Sequence, residues 1–390
     1  MKRLASELRG QGTRVTKINF HIGDVLFFSG PEAVPFRGTL AEWPAFIRTV
    51  FERTGCDALF LFGDQRPLHR EAVRVANALG IQVWVFEEGY LRPEWVTIEK
   101  GGVNGRSPLP REPERYRTAK WPVRRESQGK VRRAFARSAW FSTLNALAFT
   151  HFNAPFAAYE HHRNLNAWFH TASWLRGTAR KQWFQLVERH RMAEFTGPLS
   201  KRYVFVPLQV YCDFQLRYSK YEDIVEFIRE VTATFAKSGS KDHAIVFKHH
   251  PMDRPFREYG ALFDALREEH GLGERLCYVH DLNLPTLLKH AFATVTINST
   301  VGLQSIHHGT PVKCLGEAVY DLPGLTDPQP LETFLTSPAA PDESLYRAFR
   351  EWLLHQNQIN GNFYERLNED AGPTGFLWPP ALTNERREDG

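Results

Sequence analysis

A chain of 390 residues exceeds what one hydrophobic core ordinarily supports, so two units of structure are the default expectation. Hydrophobic residues make up 42% and charged residues 24%, a globular balance that excludes wholesale disorder. The net charge of +5 and pI near 9.0 call for an anionic partner, and four scattered cysteines without a CxxC pair exclude a disulfide framework and a cysteine zinc site; a reduced cytosol fits them best.

The first ~16 residues are polar and basic, and the first 20 lack the apolar run of a secretory signal. No later stretch approaches the ~20 uninterrupted apolar residues of a membrane span, so any membrane contact is expected to be peripheral. Asn19–Phe28 reads as a strand or strand–turn–strand, and Thr39–Thr54 has helical spacing with Thr39 as N-cap. Cys56–Phe62 reads as a buried strand, Leu68–Leu79 as a helix and Ile81–Phe86 as another buried strand. Short apolar runs alternating with helices mark βαβ units and a parallel sheet, which makes residues 17–110 a Rossmann-like N-terminal lobe.

Between Pro110 and Trp140 ten Lys and Arg residues face three Glu, a local surplus of seven. Aromatic, helical sequence follows to about Arg191, including Trp140, Phe152, Trp168 and Trp183, and residues 111–195 are expected to form a helical insertion. A second strand–helix series then opens at Tyr203–Pro207. It continues through a helix near Tyr221–Phe235, the strand Ala244–Lys248, a helix near Phe256–His270, the strand Leu276–Val279, a helix at Leu284–His290 and the strand Ala293–Ile297. Residues 196–330 are thus a second, nucleotide-binding Rossmann-like lobe, and 331–390 read as helices and a polar tail. The fold class is α/β, two Rossmann-type lobes with a helical insertion.

Ligands of open α/β sheets bind beyond the carboxyl ends of the strands. Four polar clusters stand there. Glu87 and Glu88 precede Gly89, an arrangement that aims one carboxylate into a cleft; the alternative is a solvated turn with a Glu paired to Arg92. Gln209 and Asp213 follow the strand at Tyr203–Pro207, with amides to orient hydroxyls and a carboxylate to stabilise positive charge at a sugar carbon; alternatively Asp213 caps the next turn. Lys248, His249 and His250 precede Pro251, and this cation with imidazoles favours phosphate recognition over metal, since no third His or Cys stands at i+3 or i+4. Asn298, Ser299 and Thr300 offer two hydroxyls beside an amide at a helix start, for an anion or for ordinary capping.

Taken in order, EEGYLRP at 87–93, PLQVYCD at 207–213, KHHP at 248–251 and NSTVGLQSIHHGTPV at 298–312 resemble the capsule polysaccharide biosynthesis family of the KpsS/LipB type. The resemblance runs from about residue 17 to 330. It implies a GT-B-like pair of lobes and a β-Kdo transferase that takes Kdo from CMP-Kdo to a lysophosphatidylglycerol-based acceptor, building the oligo-Kdo linker of capsular polysaccharide. Asp213 is then the catalytic carboxylate, nucleophile or ion-pair partner of a retaining transfer, and Glu88 or Glu87 serves near the acceptor. His250 contacts the CMP phosphate, Ser299 and Thr300 hold that phosphate or the cytidine end, and Lys248 and Arg92 meet the sugar carboxylate or phosphate. Gln209 and Asn298 complete the expected sugar and nucleotide contacts.

No cofactor or metal is expected, because one phosphate can be neutralised by Lys, His and helix-start N–H groups. The implied location is cytoplasmic and peripheral at the inner membrane, with the basic, aromatic section on anionic lipid and a capsule biosynthesis complex as a further partner. Competing readings are a GT-B enzyme for another nucleotide sugar and a non-catalytic assembly or export protein. A nucleic-acid module is disfavoured by the absence of a binding motif.

Overall fold

The computed structural model describes residues 1–122, 130–161 and 164–383. Arg124, Arg125 and Glu126 of the basic stretch and the tail 384–390 lie outside the described residues. The chain divides into two compact units: Met1–Pro108, Trp121–Ala172 and Leu353–Gly390 form the first, Leu109–Lys120 and Ser173–Trp352 the second. The section expected as one insertion, 111–195, is therefore shared between the units, and the C-terminal residues return to the first.

In the first unit, β1 (Lys17–Asn19) and β2 (Ala33–Pro35) pair in parallel as a small separate sheet. The main sheet has the order β11-β5-β4-β3, from β3 (Ala58–Phe62), β4 (Gln82–Glu88), β5 (Trp95–Lys100) and β11 (Gln358–Asn360). The helix α1 (Lys2–Gly10) sends Leu4 to a cluster with Phe86, Val96, Ile98 and Ile359. On the other side, α3 (Trp43–Thr54) and α4 (Pro67–Ala78) bury Trp43, Ile47, Phe51, Val73 and Ala76 with Leu61, Val83 and Val85. Within this main sheet only the β3–β4 pair is parallel; β5 runs antiparallel to β4, and β11 antiparallel to β5. The expected parallel sheet is thus mixed. The short link from Glu88 to Trp95 has no room for the crossover that a parallel neighbour requires.

Two local expectations change here. The stretch Asn19–Phe28 is not a strand: β1 ends at Asn19 and a helix, α2 (Ile22–Phe27), follows. His21 caps it through Gly23 N–H, Asp24 accepts Phe20 N–H at 2.9 Å, and the helix α6 (Ala134–Phe152) packs against it, so tertiary contact overrides the β-rich composition. The helix after Thr39 starts at Trp43, while Thr39 N–H donates to the Glu42 carboxylate at 2.7 Å ahead of the first turn.

The second unit holds a five-stranded, wholly parallel sheet of order β10-β9-β6-β7-β8. Its strands are β6 (Tyr203–Pro207), β7 (Ala244–Lys248), β8 (Leu276–Val279), β9 (Ala293–Thr296) and β10 (Val312–Cys314). Val204, Phe205, Val206, Ile245, Val246 and Phe247 are all fully buried, as the central strands of a sheet covered on both faces must be. The crossovers are α9 (Ile224–Ser238), α10 (Gly260–His270), α11 (Leu284–His290) and α12 (Val301–His307). Asp223 caps α9 by accepting Glu226 N–H at 2.9 Å, and Asn283 caps α11 through Thr286 N–H. Around them lie α5 (Pro113–Thr118), the greater part of α7 (Ala167–Val187), α8 (Arg191–Thr196), α13 (Leu331–Phe334) and most of α14 (Glu343–Gln356). After β6 the chain builds outward to β7 and β8, then returns to place β9 on the other side of β6. The gap between the ends of β6 and β9 is accordingly the switch point of the sheet, where such folds bind ligands.

Candidate functional site

Three of the four polar clusters lie at the carboxyl ends of the adjacent strands β9, β6 and β7 of the second unit. Gln209 joins two of them. Its amide N–H donates to Asn298 Oδ1 at 3.0 Å and to Asp213 Oδ2 at 3.3 Å, while its carbonyl accepts Asn298 N–H at 3.2 Å. Asn298 in turn donates to the Gln215 carbonyl at 2.8 Å. One side chain therefore spans the switch point and sets the loop after β6 against the loop after β9.

Asp213 is half-buried and plays both parts weighed for it. Oδ1 accepts Gln215 N–H at 2.9 Å and so caps the 3₁₀ turn Phe214–Tyr218, while Oδ2 lies on the Gln209 side. Capping by one oxygen fixes the carboxylate's direction and leaves the other to the site. The third cluster is tied in through a residue that sequence reasoning missed. Asp253 is buried, its backbone N–H donates to the His250 carbonyl at 2.9 Å, and its Oδ2 accepts Tyr211 N–H at 2.8 Å. The turn His250–Asp253 and the loop 207–213 are thus held together, with the Arg257 guanidinium 4.4 Å over the Tyr211 ring. The signal was present in HHPMD as a short acid closing a turn, which reads as ordinary turn chemistry until the partner strand is known.

Within KHHP the three polar side chains separate by function. Lys248 is buried and donates to the His280 carbonyl at 2.9 Å; burial pushes its ammonium below the ordinary lysine range. His249 is also buried, its Nδ1 is 2.6 Å from the Tyr278 hydroxyl, and burial with the neighbouring His280 charge takes it down to about 3. The Lys248 ammonium and the His249 ring are thus both engaged by residues at the end of β8. His250 is half-exposed, and its Nδ1 accepts Met252 N–H at 3.2 Å.

Behind this layer His280 stacks on Phe184, ring centroids 3.4 Å apart, with Nδ1 at 2.9 Å from Glu188 and Nε2 at 3.8 Å from Glu258. Burial alone would lower its pKa, but the two carboxylates outweigh it and hold the imidazole above its ordinary value.

Ser299 and Thr300 open α12. Ser299 Oγ accepts Val301 N–H at 3.2 Å, which is the capping reading, and the Ser299 carbonyl accepts the Tyr320 hydroxyl. Thr300 is half-buried and its hydroxyl makes no capping hydrogen bond. A Cβ on Gly302 would collide with the Tyr320 ring, so this glycine is required for the close approach.

The fourth cluster belongs to the first unit. Glu87 and Glu88 are the last residues of β4 itself, not of the turn beyond it, and as strand neighbours they point to opposite faces. Glu88 N–H donates to Glu87 Oε1 at 3.0 Å, and Arg92 Nε donates to the Gly89 carbonyl at 3.3 Å rather than pairing with a Glu. A Cβ on Gly89 would stand 2.5 Å from the Leu91 carbonyl oxygen and closer still to that of Trp95. Tyr90 is buried: its hydroxyl donates to Glu99 at 2.8 Å and accepts Asn104 N–H, and its backbone N–H donates to the Gln358 side chain at 3.0 Å. Asn357 and Ser107 complete the shell around Glu99. Asp64, just after β3, is a second buried acid, its pKa raised by burial, with Arg106 at 3.9 Å.

Among the described residues no group of three or more His, Cys, Asp or Glu is placed to hold a metal ion. No helix among them is long and apolar enough to cross a membrane.

The carboxyl ends of β9, β6 and β7 thus gather carboxamide, carboxylate, imidazole and hydroxyl groups where a parallel sheet offers room for a ligand, and the sequence comparisons give the chain a family. Residues 57–364 match the family described as capsule polysaccharide biosynthesis protein, and the chain belongs to it. It is 37% identical to the capsule polysaccharide export protein KpsS of Escherichia coli, over 93% of both chains. With the capsule polysaccharide modification protein LipB of Neisseria meningitidis serogroup B it shares 35% identity over 94% of this chain and 89% of the other. Among solved structures it is similar to the Thermosulfurimonas dismutans KpsC, a beta Kdo 2,7 transferase, at 16% identity and a TM-score of 0.46, covering 96% of this chain and 100% of that one.

Proposed function

We propose that this chain is a glycosyltransferase of capsular linker synthesis, transferring Kdo from CMP-Kdo onto a (lyso)phosphatidylglycerol-linked acceptor with retention. The observation that carries the reading is the hydrogen-bonded set Asp213–Gln209–Asn298 across the β6–β9 switch point. Membership of the capsule polysaccharide biosynthesis family supports the polysaccharide context.

In this reading Asp213 Oδ2 confronts the anomeric carbon while the bond to the CMP phosphate breaks and CMP departs with the bonding electrons. The carboxylate acts as nucleophile or as partner of the oxocarbenium-like ion, and the acceptor hydroxyl then attacks from the vacated face. Glu88 or Glu87 takes the hydroxyl proton. His250, Asn298, Ser299 and Thr300 receive the phosphate and nucleotide, and Gln209 and Arg92 the sugar. Lys248 serves at one remove, holding the His280 carbonyl beneath the KHHP turn. A single phosphate needs no metal here, so turnover persists in EDTA. The enzyme works on the cytoplasmic side of the inner membrane, peripherally.

The test is incubation with CMP-Kdo, generated in place, and a fluorescent lysophosphatidylglycerol, followed by mass analysis of the lipid. Added Kdo mass that disappears with Asp213→Ala supports the reading. No added mass, or mass that survives the substitution, overturns it.

A further inference from the structure

Soluble helices pack their large apolar side chains inward and leave small or polar ones outside. In α6 and α7 the order is inverted. Of the seventeen large hydrophobic residues exposed among the described residues, twelve fall between Phe135 and Val187. On α7 the residues turned inward in the second unit are Ser173 and Gly177, with Gly177 so close to Pro255 that a Cβ would overlap its ring. On the opposite side of that helix, at the i, i+7 spacing that returns to one face, stand Trp168 and Leu175, 76% and 69% exposed, with Trp183 and Leu186 on the following turns.

The first unit repeats the pattern. The face of α6 that packs on α2 carries Asn145, Phe149 and Asn153, the last accepting Ile22 N–H at 3.1 Å, while Trp140 on the far side is 62% exposed. The start of α7 lies along this helix: Ala167 N–H donates to Thr150, and Ser142 meets His170 at 3.0 Å. Charge is equally one-sided. From Ala134 to Val187 the sequence has five Lys or Arg and a single acid, Glu160. Arg176 is exposed beside the Trp168 and Leu175 side of α7, and Lys181 is exposed on the side of Trp174, seven residues before it, where long basic stems can reach anionic headgroups beside buried rings. Of the earlier basic run, Arg111 donates to the Ala318 carbonyl and Arg117 pairs with Asp342.

We infer that the outward face of α6 and the outward face of α7 each dock on an anionic phospholipid bilayer, the aromatic and leucine side chains entering the interface and the bases meeting the headgroups. Apolar burial supplies the affinity and the unopposed positive charge selects the lipid. A bilayer, rather than a protein groove, suits exposed aromatics spread along two helices neither of which can span it. The inference deepens the peripheral placement proposed above, and it stands on exposure and charge rather than on the transfer reaction.

Flotation of the full chain with vesicles of phosphatidylcholine alone, and with phosphatidylglycerol added, tests it. The wild type should float with the anionic vesicles, its tryptophan emission shifting to the blue. Trp168→Ser with Leu175→Ser should weaken that binding about tenfold or more, and Arg176→Gln with Lys181→Gln by about fivefold per charge, both with unchanged melting temperature. Equal flotation of variants and wild type overturns the inference, as does a wild type that floats with neither vesicle. A concentration-dependent dimer abolished by Trp168→Ser with Leu175→Ser assigns the face to a second copy instead and overturns it too. Transfer to a short-chain, water-soluble acceptor should be equal in variant and wild type, so that loss of docking is read separately from failure of the proposed reaction.

Discussion

In sequence, the segment EEGYLRP of the first unit and the loop LQVYCD of the second are much alike, each a carboxylate-bearing stretch at the end of a buried strand, yet they are built differently. Around Tyr90 nearly every polar atom is buried and committed: Glu99 takes Tyr90, Ser107 and Asn357, and Gln358 takes the backbone. Around Asp213 the buried Gln209 holds a rim of half-exposed groups, Asp213, Asn298, Ser299 and Thr300, and its bond to Asp213 is a long 3.3 Å. A buried network fully satisfied fixes a conformation; a half-exposed carboxylate held by one long bond keeps an oxygen available to a ligand. Substitutions around Tyr90 should therefore read out in stability, and those around Asp213 in transfer.

Asp213→Asn is the sharpest way to break that contrast. The amide keeps the shape and can still cap through its oxygen, but it removes the charge that faces the anomeric carbon. Transfer should fall about a thousandfold or more, while the melting temperature and its rise with CMP stay near the wild-type values. A cooperative loss of structure instead would make Asp213 a scaffold residue like Tyr90.

Gly89→Ala should do the reverse. The new Cβ meets two backbone oxygens that no rotamer change can move. A loss of about 3 kcal/mol in urea unfolding is expected, and a well-folded Gly89→Ala protein would refute the rigidity ascribed to this segment. Tyr90→Phe is gentler. It strips Glu99 and Asn104 N–H of one buried partner each, which costs about 1–3 kcal/mol.

The same distinction governs what was legible in the sequence. The strands β6, β7 and β8 and the helix α11 stand where the apolar runs put them, because strands buried on both faces read as continuous hydrophobic stretches. The strand β11 gave no such signal. Gln358 and Asn360 are buried polar residues, held by side-chain hydrogen bonds to Thr97 and the Glu94 carbonyl that hydropathy cannot register. The direction of β5 was equally hidden, since a run of apolar residues does not tell which way its neighbour travels. For the candidate site, the four clusters were visible as polar residues after strands. What joins three of them, Gln209 reaching Asn298 and Asp253 reaching Tyr211, depends on strand order, and strand order is a long-range property.

The smallest expected effect tests whether the second unit also has a committed layer beneath its open one. His280 lies in such a layer, stacked on Phe184, between Glu188 and Glu258, with His249 beside it and its carbonyl under Lys248. Its folded-state pKa is raised, so its charged form stabilises the fold. That contribution is fully present below the unfolded histidine value of about 6.5 and is lost as pH rises through the higher folded value. Urea midpoints of the wild type should accordingly decline from just below neutrality toward mildly alkaline pH. In Glu188→Gln the carboxylate that accepts His280 is gone, the imidazole pKa falls back toward its desolvated level, and the decline should flatten even though the variant is weaker throughout. The slope, not the level, is the readout, because a residue that merely filled space would shift every midpoint alike. If transfer per folded molecule keeps the wild-type pH profile in the variant, the imidazolium braces the β7 and β8 ends without entering the reaction, and the second unit repeats beneath its site the design that the first shows around Tyr90.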